Sequence, residues 1–304
     1  MGPSLSPSGA TRAMDVLQNR ASLVATEFSL LGVGTALLIA TGVAGLVQGA
    51  SAIPLGRQAV AVAAGLVTCG VVLLAVGHTM DAGGCRTASR AMGRYLWPLV
   101  TLGTLLAAAA WGSFWLPWPS AHDGGGVAAG LGLVAGAAGL VGVPVIAGLG
   151  LRALAAPVVA PPAPLVQLLQ ATSHTLTAGV VLLLVLCSLN EQLTVLGRHY
   201  VAAAVCTLAA HAMVWAGWLL RESRQMVRLL NETGTRLPGL IRCHRIASAA
   251  TVGGLMLPGL LIFHALMTGR EAGVVAAAAL LVASNHAMRF AWVLTSFRRM
   301  PRSA

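Results

Sequence analysis

The sequence predicts an all-α integral membrane protein, a bundle of about eight transmembrane helices with both termini on the inner side. Composition is the first observation behind this: of 304 residues 57% are hydrophobic and only 9% charged, with a mean hydropathy of +0.82, so most of the chain is built for a non-aqueous solvent. The second is that apolar runs long enough to cross a hydrocarbon core of roughly 30 Å, at about 1.5 Å per residue, recur eight times along the chain. The third is that arginines collect on alternate connections, as the insertion bias toward positive inner loops requires.

The elements follow in order. A polar segment, 1–22, reading MGPSLSPSGATRAMDVLQNR at its start, is expected to be flexible, and the run after it has no small-residue cleavage site, so it is read as retained. Spans are expected at about 24–47, 58–80, 95–116, 127–151, 165–189, 199–220, 243–267 and 272–296. They fall within one transmembrane domain, 23–297, followed by a short basic tail, 298–304. The second span closes on His78, and the third closes on Trp111, Trp115 and Trp118. The fourth is dominated by glycine and alanine: Gly132 and Gly136 have the small-xxx-small spacing of a close helix contact, and Pro144 predicts a kink. His174 lies in the fifth span and His211 in the sixth, Pro258 interrupts the seventh, and Asn285, His286 and Arg289 stand inside the eighth.

All nineteen basic residues are arginine. With both termini inside, fifteen of them fall on the inner side, three (Arg57, Arg198 and Arg270) on the outer side, and Arg289 in the last span. The net charge of +11 therefore sits beside the membrane, which removes the nucleic-acid reading that such a charge would otherwise invite. Tryptophans at 97, 111, 115, 118, 215, 218 and 292 lie toward span ends and are expected as headgroup-level anchors.

No connection exceeds about twenty residues, so no soluble catalytic domain interrupts the spans. There is no phosphate-binding glycine loop, HExxH or CxxC, and the five cysteines are scattered as core fillers rather than as a disulfide or iron–sulfur set. Chemistry must then reside in the bundle or come from a partner. His78 is followed by Asp81 and Arg86, and an imidazole beside a carboxylate can hydrogen-bond a quinone oxygen and relay its proton. His174, His211 and His286 fall at about one depth when counted along antiparallel spans, which makes them alternative haem b ligands. Ionisable groups in a span are costly and face the bundle, so Arg289 and Asn285, four apart on one helix face, are expected to turn inward. His264, with Arg270 and Glu271, marks the outer end of the seventh span.

Eight spans in about 300 residues, a first span reading SLVATEFSLLGVGTALLIATG, a histidine ending the second span before an arginine-containing loop, and a last span carrying SNHAMRFAWVLTSF together resemble the membrane anchor subunits of the dimethyl sulfoxide reductase family, related to the polysulfide reductase membrane subunits. The resemblance implies a multi-pass anchor in the inner (cytoplasmic) membrane of a bacterium. Such an anchor exchanges electrons between menaquinone or ubiquinone and a partner iron–sulfur subunit, with a molybdopterin catalytic subunit beyond it. It implies that His78 is the quinone-site histidine; Asp81, Arg86 and Arg289 are the other candidate quinone-binding or proton-relay residues that the sequence offers. The chain departs from the family pattern in carrying Ser284 and Asn285 where a Gly-Glu pair is usual, HTMDAGG in place of a His-Leu-Gly loop, and no acidic residue further along that loop. The alternatives are a haem b cytochrome subunit and a small secondary transporter, for which Pro144 and Pro258 would mark broken helices.

Overall fold

The computed structural model describes residues 7–48, 53–80, 86–117, 126–154, 164–189, 200–217, 238–268, 270 and 272–298. Within them the chain forms eight helices and no strand: α1 Pro7–Gln48, α2 Ile53–Met80, α3 Arg86–Trp115, α4 Val127–Leu154, α5 Pro164–Leu189, α6 Tyr200–Gly217, α7 Pro238–Thr268 and α8 Ala272–Arg298. Seven of the eight contain a stretch long and apolar enough to cross a membrane. Among the described residues of α7 the apolar stretch is the shorter Gly253–Ala265, so an eighth span stands on the sequence alone.

Runs of alanine, leucine and valine make these helices because, away from water, a backbone must satisfy its own N–H and C=O groups within the segment. The hydroxyls inside the spans obey the same rule. Ser29, Thr41 and Ser113 each donate to the carbonyl four residues back, Ala25, Leu37 and Ala109. Two expectations change. α1 begins at Pro7, a residue suited to a first helical position, so much of the polar segment expected to be flexible is helical. Pro144 and Pro258 do not break their helices: α4 and α7 run through them, since a proline removes one backbone bond that neighbouring helices help to compensate.

α1 and α5 form the centre, with 67% of the residues in each of their spans buried against 28–44% for the other five. α1 packs on α2, α4, α5 and α8. The Gly132–Gly136 stripe lies against α1 as its spacing predicts: a Cβ on Gly136 would stand 2.7 Å from the Ile39 nitrogen and the Thr35 oxygen, and one on Gly132 3.7 Å from the Leu38 oxygen. Contacts of this kind also give direction. Gly70 meets Leu31 while Gly34 meets Val67, so α2 runs antiparallel to α1; Gly32 meets Thr175 while Gly179 meets Ala36, so α5 runs parallel to it. We call the end where α1 begins proximal and the other distal. Large apolar side chains such as Leu105, Val134, Met256 and Phe263 are exposed around the outside, as a lipid-facing surface requires.

Candidate functional site

The buried polar groups of the bundle converge where α5, α6 and α8 meet. α5 carries Ser173, His174 and Thr175 in succession, α6 carries His211, and α8 carries Ser284, Asn285 and Arg289. His174, Thr175, His211 and Asn285 are at most 1% exposed and Arg289 is 5% exposed. At the bundle centre such groups are costly unless each finds a partner, and the partners can be traced atom by atom.

His174 Nδ1 faces His211 Nε2 at 2.6 Å, with the two rings edge to face and their centroids 4.4 Å apart. His174 Nε2 faces the Leu281 carbonyl at 3.4 Å, and His211 Nδ1 faces Ser173 Oγ at 3.0 Å. A carbonyl only accepts, so the hydrogen-bond pattern assigns a proton to His174 Nε2. A neutral His174 then has a bare Nδ1, which accepts from His211 Nε2, and His211 Nδ1 accepts from the Ser173 hydroxyl. Every ring nitrogen is satisfied. Adding one proton at His211 Nδ1 moves the proton between the rings onto His174 and reverses the Ser173 bond, so the chain Ser173–His211–His174 can pass a proton along itself.

Beside this chain, Arg289 Nε donates to Asn285 Oδ1 at 3.1 Å and its Nη2 donates to Thr175 Oγ1 at 2.7 Å. Thr175 in turn donates to the Ala171 carbonyl. The guanidinium reaches across to α1 because position 32 is glycine: a Cβ there would stand 2.6 Å from Nη2. Among the described residues no carboxylate pairs with Arg289, and Asn285 Nδ2 is buried with no hydrogen-bond partner. Leu281, whose carbonyl faces His174, lies one helical turn before Asn285 on α8. The imidazole chain and the unpaired donor are therefore neighbours. On the far side Ser284 Oγ donates to the Ala250 carbonyl of α7, and Gly254 of α7 leaves the space that Ser284 and the His174 ring occupy.

Of the residues singled out from sequence, the structure brings His174, His211 and Arg289 together. His286 is half-buried on α8, one residue beyond Asn285, and has no hydrogen bond to the cluster among the described residues. The histidines do not fit the alternative role of haem ligands as arranged. An iron held between two ring nitrogens separates them by about 4 Å, taking metal–imidazole bonds of about 2 Å, whereas these two share a proton at 2.6 Å. Among the described residues no group of three or more His, Cys, Asp or Glu could hold a metal ion. His78 lies near the end of α2 and Arg86 opens α3, but both side chains, and Asp81 entirely, lie outside the described residues. His264 is exposed.

Two residues act differently from their sequence reading. Trp215, expected as an interfacial anchor, is 1% exposed and stands edge-on to His211 at 6.0 Å between ring centroids; Trp97 and Trp115 do face outward. Of the cysteines expected as core fillers, Cys187 is buried, while Cys69 and Cys206 are exposed. One residue was missed. Glu27 in α1 is 3% exposed, and the signal was present: it is the one acidic residue of the chain's eight that falls inside a span. No protein-family model, curated protein or solved structure matches the chain.

Proposed function

We propose that this chain is the quinone-reactive membrane subunit of an oxidoreductase complex, passing electrons between a membrane quinol and an iron–sulfur partner that serves a molybdopterin catalytic subunit. The observation that carries the reading is a buried donor with no acceptor, Asn285 Nδ2, beside a buried guanidinium that no carboxylate among the described residues pairs. A missing acceptor next to a proton-conducting imidazole chain is what a quinone carbonyl, bound among apolar helices, would complete. Arg289 and Asn285 bind and orient the ring oxygen; His174 and His211 hold and move the proton, with Ser173 Oγ as the outer end of the chain. When bound, a quinol supplies two electrons and two protons, either menaquinol or ubiquinol serving equally.

The fifteen-to-three arginine distribution supports placing the proximal end, with both termini, on the cytoplasmic side of a bacterial inner membrane. The site then lies toward that side. The test is quinol turnover by the complex extracted gently from its native membrane. Asn285→Leu is expected to raise the quinol KM about tenfold, the cost of one buried hydrogen bond to the ring oxygen, while His174→Leu lowers kcat with little change in KM. Recovery of the chain without redox partners, and insensitivity to quinone analogues while it carries a solute, would place it instead among transporters.

A further inference from the structure

Arg289 is a permanent cation in the middle of the site, and its partners are all neutral. Of the five N–H donors of a guanidinium, one on Nε goes to Asn285 Oδ1 and one on Nη2 goes to Thr175 Oγ1, an amide and a hydroxyl. The other three have no acceptor among the described residues. Asn285 Nδ2, on the same amide that Nε donates to, is a further buried donor with no partner. A buried charge with neutral partners alone is costly, because hydrogen bonds orient dipoles toward it but leave its charge uncompensated.

The chain supplies no counter-charge at this depth. Of its eight acidic residues, seven lie outside the apolar spans. The eighth, Glu27, is buried in α1, but it stands on another face. The guanidinium lies against Gly32, and Glu27, five residues earlier, is turned about 140° around the helix from that position. The other titratable groups around the cluster add no negative charge. His174 and His211 are neutral when bonded as above, His286 on α8 is one residue beyond Asn285 and half-buried, and Arg245 of α7 is an exposed cation.

We infer that the Arg289 guanidinium holds a small monovalent anion of halide size inside the bundle, on the N–H groups that protein acceptors leave free, with the Asn285 amide as a further donor beside it. One negative charge matches the one positive charge. The size limit follows from burial, since Arg289 is 5% exposed and Asn285 1%. A halide also accepts from several N–H donors at once without the directional demands of a carboxylate. The inference goes beyond the quinone reading and stands without it: a ring carbonyl is neutral, so it would complete Asn285 Nδ2 and leave the charge of the guanidinium as it was. No bond is made or broken and no electron moves.

The test uses the full chain purified in mild detergent with gluconate as the anion, into which chloride or bromide is titrated at constant ionic strength and pH. Both halides should raise the unfolding midpoint along a saturation curve, as a ligand that binds only the folded state does. Arg289→Gln should weaken halide binding about a hundredfold, through loss of hydrogen bonds from a charged donor. Arg245→Gln, which removes an exposed arginine of α7, should leave the curve unchanged. Crystals grown in bromide should show an anomalous scattering peak within hydrogen-bond distance of the Arg289 guanidinium. A midpoint indifferent to which anion is present, a saturable rise that survives Arg289→Gln, or bromide found only elsewhere would each overturn the inference. The wild-type curve and the bromide peak need no variant, so a folding defect in Arg289→Gln leaves the test decisive.

Discussion

Replacing His174 and His211 by leucine, singly and together, tests the centre of the site. In His174→Leu the Nε2–H of His211 loses its acceptor; in His211→Leu the Nδ1 of His174 loses its donor. Each single change therefore strands one fully buried polar atom, which costs about 1–3 kcal/mol. The double variant strands neither ring nitrogen, because both rings are gone. Its destabilisation should fall short of the sum of the singles by about 1–1.7 kcal/mol, the upper part of the range measured for hydrogen bonds between membrane helices. The upper part is expected because the pair is 0–1% exposed and only 2.6 Å apart. The assay is reversible unfolding of the four proteins in mixed micelles, with quinol turnover measured on the same preparations. The double variant should be less destabilised than the sum of the singles, while its turnover is no better than theirs. Energies that add to within about 0.5 kcal/mol, the scatter of independent sites, would refute the direct bond between the rings and with it the relay.

Arg289→Lys keeps the charge but cannot reach Asn285 Oδ1 and Thr175 Oγ1 together as the forked guanidinium does; the quinol KM should rise about tenfold, checked by steady-state turnover. Thr175→Val removes the Nη2 acceptor at 2.7 Å at nearly constant volume and should cost about 1–2 kcal/mol, read from the shift in unfolding midpoint. Gly254→Ala places a methyl on Ser284 and should lose about 1–3 kcal/mol by overpacking; adding Ser284→Gly should recover most of it, despite losing the bond to Ala250, and an unchanged melting temperature for Gly254→Ala alone would contradict the α7–α8 contact. A reporter fused after Ala304 should be active only in the cytoplasm, and one inserted at 190–199 only outside.

The fold was legible because lipid solvent leaves few choices. A run of about twenty apolar residues must become a helix to satisfy its own backbone, and each span read from the sequence overlies one of α1 to α8, with α1 beginning seventeen residues and α3 nine residues before its span. The exceptions have local causes. At Pro144 and Pro258 a helix tolerates one missing bond, and before Ser22 a polar segment is helical without being apolar. Small-residue spacing was readable too, since Gly132 and Gly136 meet α1 as a close contact demands.

The site was legible only as a list. Depth counting put His174, His211 and His286 at one level, but level does not fix azimuth: 100° of helix rotation separates His286 from Asn285, and the same arithmetic cannot say which rings touch. Glu27 was readable as the lone carboxyl in a span, but not that the fold buries it. The sequence by itself determined the apolar solvent and the helices, because these follow from composition summed over whole segments. Only the tertiary structure decided that two histidines share one proton, that Trp215 stands against His211 instead of anchoring a headgroup, and that Asn285 Nδ2 lacks an acceptor. Those facts depend on which faces of α1, α5, α6 and α8 meet, and that is set by side-chain packing between helices rather than by the pattern within any one of them.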